Sequence, residues 1–480
     1  MGVVIESEVW EPNRALYVFI SVSCFLSIFS LPRPWASSNR SPTLFDHSLP
    51  SSLLRFQRRF LLIYSLASVM EGLWSVVGEN ELAYYGVGRG YMVLSLCVAY
   101  AAALFLGTLL GVLSDLIICR NRSFARVLLP KKWSFKLNAF RLGNTRSQKK
   151  ICLIFFILHL FVGVWKKIIG HPSIWLASVC LSIASSIFSF SFETWMVVEH
   201  DKLGHRQDTL NNLFWLMTFT ESASLIGSQV MANWLVNNNV EKSLLSPSTA
   251  AILLAILSII LLTRGWKEVP QKAAFEDYRI SFAAYIFGDK RVWLLGCAQA
   301  SVQLSVAVFW ILWGPTIVAD GREVHLGLIY PCLLGARMLG STIFPWFFSR
   351  PSSPRIEDCL VYVFIVMGLI LSIVAYDYQE IHVLVTLFFV FHACVGLILP
   401  SLARLRTMYV PNELRGGMIS LSLAPAHAAI LFLLVQRGYY QNIENSTMIA
   451  FTAVGLFTGA GCLHLLRRWG KQPHQNWHKK

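Results

Sequence analysis

The stretch LGLIYPCLLGARMLGSTIFPWFF, Leu326–Phe348, holds a single charged residue, Arg337, near its centre. As a helix it rises about 34 Å at 1.5 Å per residue, enough to cross the roughly 30 Å hydrocarbon core of a bilayer. An arginine at that depth costs about 2.5–3.5 kcal/mol on insertion scales, so it is retained for a cavity, a ligand or an opposite charge. Gly335 and Gly340 beside it leave room for its side chain or for a close neighbouring helix.

The rest of the chain is built like that stretch. Of 480 residues, 55% are hydrophobic and 14% charged, where soluble domains carry about 25% charged residues. The composition points to a membrane protein embedded in a lipid bilayer. The net charge of +15 would suit nucleic acid, but its distribution follows membrane topology instead, and no nucleic-acid partner is expected. The 10 cysteines are scattered, several inside apolar runs (Cys97, Cys180, Cys297, Cys394). They form no CxxC pair and read as small apolar fillers.

Apolar windows recur at 15–31, 60–77, 91–113, 151–169, 174–198, 211–236, 247–263, 292–318, 325–348, 359–375, 381–402, 417–435 and 447–466. They divide the chain into an extra N-terminal helix with its linker (1–59), six helices (60–263), a central cytoplasmic loop (264–291), six more helices (292–466) and a tail (467–480). Glu6, Glu8 and Glu11 ahead of Arg14 argue for a retained first helix and against a cleaved signal peptide. With the N-terminus outside or lumenal and the sides alternating, 33 lysines and arginines fall on cytoplasmic segments and 7 on outer ones, Arg337 being the last of 41. This positive-inside pattern puts the C-terminus in the cytoplasm, in a plasma membrane or an endomembrane alike. It also makes the basic insertion Cys119–Lys150 a cytoplasmic loop near anionic headgroups. The sequon at Asn445 falls on the outer side, and those at Asn39 and Asn121 on the cytoplasmic side.

Six helices followed by six is the layout of a transporter built from two repeated halves. Counting the twelve helices after the extra one, Glu71 in the first, Glu221 in the fifth, Gln303 in the seventh, Arg337 in the eighth, His392 in the tenth and His427 in the eleventh lie near mid-depth. Glu193 in the fourth lies nearer the cytoplasmic end. The third, sixth and ninth helices are expected to be outer supports that add no ionisable partner. Intramembrane charges mark substrate or proton paths, and protons are a candidate co-substrate here. Arg337 reads two ways: a cavity cation whose planar fork suits an oxyanion, or a permanent pair with Glu71 or Glu221 that fixes helix register. Glu71 and Glu221 are balanced between proton relay and structural contact. His392 and His427 read first as hydrogen-bonded packing histidines.

No GxxxxGK[ST], HExxH or GxSxG motif occurs, so neither a nucleotide-driven pump nor a membrane enzyme is expected, and no cofactor. The spacing of His200 and His205 matches no metal site. Two classes remain: a secondary carrier of a small solute (an anion, or alternatively a sugar), and a transporter-fold sensor or scaffold.

Several stretches carry a family resemblance. SFSFETWMVVEHDKLG, Ser189–Gly204, is similar to the helix-four signature of the molybdate-anion transporter family within the major facilitator superfamily. LLGCAQASVQLSVAVFWILWGPTI, LPSLARLRTMYVP and YSLASVMEG resemble that family as well, and GVLSD, Gly111–Asp115, resembles the superfamily's loop motif. The resemblance implies a major facilitator fold of twelve spans in two halves plus the extra helix, with molybdate as the small anionic substrate. It implies roles for Glu71, Glu193, Trp195, Glu199 and His200, and a gating role for Asp115. The chain departs from the pattern at Trp215 and Leu423, where basic residues are usual, and at Gln303, where an acid is. Arg337 stands where a small residue is usual, so it is expected to supply the pocket's positive charge.

Overall fold

A computed structural model describes residues 10–29, 51–84, 89–119, 149–168, 174–203, 207–237, 247–264, 288–319, 322–348, 355–376, 380–440 and 443–470. Each apolar window stands as a helix. After α1 (Arg14–Phe29), the first half comprises α2 (Ser51–Tyr84), α3 (Arg89–Ala102), α4 (Thr108–Cys119), α5 (Lys149–Ile168), α6 (Ile174–Lys202), α7 (Gln207–Asn237) and α8 (Pro247–Thr263). The π turn Ala103–Gly107 joins α3 and α4 into one span. The second half comprises α9 (Lys290–Ile317), α10 (Leu326–Phe348), α11 (Ile356–Tyr376), α12 (Ile381–Tyr409), α13 (Arg415–Val435) and α14 (Asn445–Gly470). Residues 120–148 of the basic insertion, Asn39, Asn121 and most of the central loop lie outside the described residues.

Nine helical stretches among the described residues are long and apolar enough to cross a membrane, and α1 and the Ser248–Thr263 part of α8 are shorter apolar helices. The ends follow local chemistry. Asp289 caps α9 by accepting the Arg291 N–H at 2.9 Å, and Pro247 opens α8, where a missing N–H costs nothing.

Packing repeats between the halves. In the first, α2 packs on α7, α3 on α6 and α5 on α8; in the second, α9 packs on α13, α10 on α12 and α11 on α14. Counted by span, both halves pair one with five, two with four and three with six, which is the internal repeat of the major facilitator fold. The halves meet along two seams: α7 against α10 and α12, and α3 and α4 against α13. The chain is therefore an all-α polytopic membrane protein, with α1 as an addition seated on α10.

Lipid gives helices no hydrophobic reason to associate, so close backbone approach does much of the holding. A Cβ on Gly340 would strike the carbonyl of Ala393, and one on Gly396 the carbonyl of Arg337, so α10 and α12 touch through their backbones. Gly335 instead seats Ile20 of α1. The Tyr17 hydroxyl donates to the Leu328 carbonyl at 2.6 Å and Ser27 to Thr342 at 2.7 Å, tying α1 to the helix that bears Arg337.

Candidate functional site

Two charged clusters cross from one half to the other. At mid-bundle, Arg337 of α10 is 8% exposed. Its Nη2 donates to Glu221 Oε1 of α7 at 2.6 Å. The other carboxylate oxygen accepts from the Tyr64 hydroxyl of α2, also at 2.6 Å. Glu221 is thus shared between the halves, one oxygen to each. The Arg337 Nε, though buried, has no hydrogen-bond partner among the described residues, so the fork is only partly used.

Glu71 does not join this group. It faces His159 of α5 at 3.5 Å, an electrostatic contact longer than a hydrogen bond. His159 corrects the expectation that the outer helices add no ionisable partner. His392 of α12 is 1% exposed, enclosed by the rings of Phe309 at 4.6 Å, Trp310 at 4.8 Å and Phe391 at 5.6 Å. Neither ring nitrogen has a hydrogen-bond partner among the described residues, so it packs without the bond the sequence reading gave it. His427 lies 6.1 Å from the ring of Tyr100. Gln303 is half-buried and joins neither cluster through the described hydrogen bonds.

The second cluster gathers where α4, α6 and α12 end and α13 begins. Glu193 of α6 receives Arg406 of α12 through both carboxylate oxygens, with Nε to Oε1 at 2.9 Å and a second bond from Nη2 to Oε2. Arg415 of α13, fully buried, donates to Glu193 Oε1 at 3.1 Å. Arg406 also donates to Gln299 Oε1 of α9 at 3.0 Å. Beside them, Asp115 of α4 accepts the Gly417 N–H at 2.6 Å, and Gly416 leaves the space that its carboxylate occupies. A helix N-terminus favours a carboxylate there. Two arginines and two acids, from both halves, balance in charge.

The signature residues are close by. Trp195 is buried against Phe60, with ring centroids 4.9 Å apart. Glu199 pairs with Lys202 at 3.2 Å, and His200 Nε2 shares a 2.7 Å hydrogen bond with Thr209. Trp215 and Leu423 are buried apolar side chains.

Sequence reasoning did not select Tyr64, His159, Gln299, Arg406 or Arg415. The two arginines counted as loop charges because the apolar windows stopped at 402 and resumed at 417, whereas α12 runs to Tyr409 and α13 starts at Arg415. The spacing of Leu402, Leu405 and Tyr409 continues the helical period and was the available signal.

Comparison with known proteins places this geometry among transporters. The profile of the MFS_5 family, described as sugar transporters with 12 TM, matches residues 139–397. The molybdate-anion transporter of Xenopus laevis is 25% identical over 334 residues, covering 67% of this chain and 72% of that protein. The protein of the same name from Xenopus tropicalis is 25% identical over 342 residues, with the same coverage. A bacterial homologue of the iron transporter ferroportin, solved in an outward-facing state, superposes with a TM-score of 0.60 at 14% identity, covering 87% of this chain and 100% of that one. At that identity the likeness speaks for the fold alone.

Proposed function

Because the chain belongs to the MFS_5 family of twelve-span membrane transporters, we propose that it is a secondary active carrier that moves a small anion, molybdate, by alternating access. The relatives named molybdate-anion transporter support the choice of substrate. The observation that carries the reading is the Arg337–Glu221–Tyr64 chain across the midplane. A tetrahedral oxyanion offers the same acceptor geometry as a carboxylate, so it competes with Glu221 for the guanidinium fork. Tyr64 keeps a bond to Glu221 when Arg337 turns away, which lowers the penalty of the exchange. A proton taken up by Glu221 cancels its attraction for Arg337, so anion and proton enter together.

In this reading the Glu193 cluster is the gate at the other level. Under the positive-inside orientation it lies on the cytoplasmic side, with the N-terminus outside. It has to separate for that side to open, and its charges are rehydrated as it does. The Glu71–His159 pair is a second titratable contact, within the first half.

The test is uptake of labelled molybdate by the purified protein in proteoliposomes, with and without an inward proton gradient. Saturable uptake that the gradient accelerates and Arg337→Gln abolishes is the expected result. Uptake indifferent to Arg337 would sink the reading. A sugar is the second reading, favoured by the family's description and by the clustered rings of Trp310, Trp313 and Tyr330, whose centroids lie 5.2–6.4 Å apart. Competition by hexoses in the same assay, with none by oxyanions, would select it.

A further inference from the structure

Helices α9 and α14 run antiparallel in a fixed register. The Ser305 hydroxyl donates to the Thr452 carbonyl at 3.4 Å, and a Cβ on Gly455 would lie 3.6 Å from Leu304. One on Gly459 would lie 3.1 Å from the Cβ of Ser301. Arg291 donates to the Trp469 carbonyl at 3.1 Å, at the end of the same ladder. As one number falls the other climbs, nearly residue for residue. Continued one turn from Ser301 and Gly459, that register sets Cys297 opposite Cys462, with their side chains neighbouring one another.

Packed helices usually lie about 8–10 Å apart, whereas a disulfide needs Cα atoms about 4.4–6.8 Å apart. The glycines at 455 and 459 narrow the gap in the two turns beside the pair. Both cysteines are free and only half-buried. They sit about 9 Å in from the anchors Lys290, Arg291 and Trp469, a depth that a small uncharged oxidant reaches. The sequence reading treated both as apolar fillers; the register makes them a pair.

We propose that Cys297 and Cys462 form a redox-active dithiol that hydrogen peroxide converts to a disulfide, stapling α9 to α14. One thiolate attacks the peroxide O–O bond and becomes a sulfenic acid, releasing one water. The second thiol attacks the sulfenic sulfur, the S–S bond forms, and a second water leaves. The peroxide gains two electrons, the thiols lose two, and both thiol protons depart in the waters. A dithiol reductant reverses the step by exchange. The staple bears on transport through Gln299, two residues past Cys297, which holds Arg406 in the gate at 3.0 Å. Fixing that turn of α9 slows separation of the Glu193 cluster. This consequence rests on the proposed function; the disulfide itself does not.

The experiment treats the full-length protein in lipid nanodiscs with hydrogen peroxide and maps cysteines by mass spectrometry. The expected result is a linked Cys297–Cys462 peptide, loss of both free thiols and recovery with dithiothreitol. Cys462→Ser should give no link and a dimedone-trapped sulfenic acid at Cys297. A folded protein whose two thiols stay alkylatable after peroxide overturns the proposal. In proteoliposomes, oxidation should slow molybdate uptake in the native protein and not in Cys462→Ser. A link that leaves uptake unchanged overturns the regulatory role. Absence of molybdate uptake before oxidation overturns the transport reading and leaves the linked peptide standing.

Discussion

Gln229 of α7 donates its side-chain amide to the carbonyl oxygen of Gly327 in α10 at 3.0 Å, bonding one half of the bundle to the other. The acceptor is free because Pro331, four residues on, has no N–H to offer it. The proline thus creates a docking point between the halves. Gln229 is buried, at 8% exposure, whereas Gly327 is exposed, so the glutamine amide is the group that depends on the bond. Gln229→Leu should remove a bond worth about 0.5–1.5 kcal/mol and favour opening on that face. Spin labels at Val230 and Leu328, both exposed, should then report a longer and broader distance distribution. An unchanged distribution would mark the bond as incidental to the conformational balance.

The Arg337–Glu221 pair makes a sharper forecast. Removing one partner of a buried ion pair typically costs about 3–5 kcal/mol, because the other charge is stranded. Arg337→Gln and Glu221→Gln should each lower the thermal midpoint, and the double variant should recover most of the loss. Transport should not recover with it, because the double variant has no cation to receive the anion. Normal molybdate affinity in the double variant would make Arg337 a strut.

Much of this fold was legible because membrane insertion leaves a coarse signal. Thirteen apolar windows became thirteen helical stretches, and the largest shifts are at α2, which starts at Ser51 where the window began at 60, and at α12, which runs past 402 through Arg406 to Tyr409. The partner of Arg337 was legible to within two candidates, Glu71 and Glu221, since depth along a helix follows from residue count. Which of the two it was depended on rotation about the helix axis, and that is set by contacts such as Gly340 on Ala393 and Gly396 on Arg337. The Glu193 cluster escaped for a different reason. Arg406 and Arg415 flank a loop in sequence, and only the fold brings them to an acid more than two hundred positions away.

Glu71 and His159 form an electrostatic pair, and the histidine ring has no hydrogen-bond partner among the described residues. If the pair holds a transported proton, Glu71→Gln should fold normally and flatten the dependence of molybdate uptake on external pH. The readout is initial rate across a pH series in proteoliposomes. A profile identical to that of the parent protein would take Glu71 out of the proton path.

The 33-to-7 division of basic residues predicts opposite sides for the two termini. An epitope at residue 1 should be reached by antibody from the outer or lumenal side without permeabilisation, and one at residue 480 only after it. Asn445 opens α14, so it sits too near the bilayer for efficient glycosylation. Both tags on one side would take α1 out of the membrane and shift every later loop.

The Glu193 cluster yields the last forecast, and its charge balance sets the terms. Glu193 is the shared acceptor for Arg406 and Arg415, while Asp115 is engaged by the Gly417 N–H. Glu193→Gln therefore strands two buried guanidinium groups and should destabilise the protein by about 3–5 kcal/mol or more. Adding Arg415→Met removes one of the stranded charges, and the remaining glutamine can still accept from Arg406, so much of the stability should return. Arg406→Lys separates gate from scaffold. The ammonium cannot reproduce the two parallel bonds to Glu193 together with the bond to Gln299, although it preserves the charge. Stability should fall little, while the two halves separate more readily at this level. Cysteine labels at the Glu199 and Met408 positions, read by distance measurement, should show a larger open fraction in Arg406→Lys. Should the open fraction match that of the parent protein, the cluster holds the fold together and gates nothing.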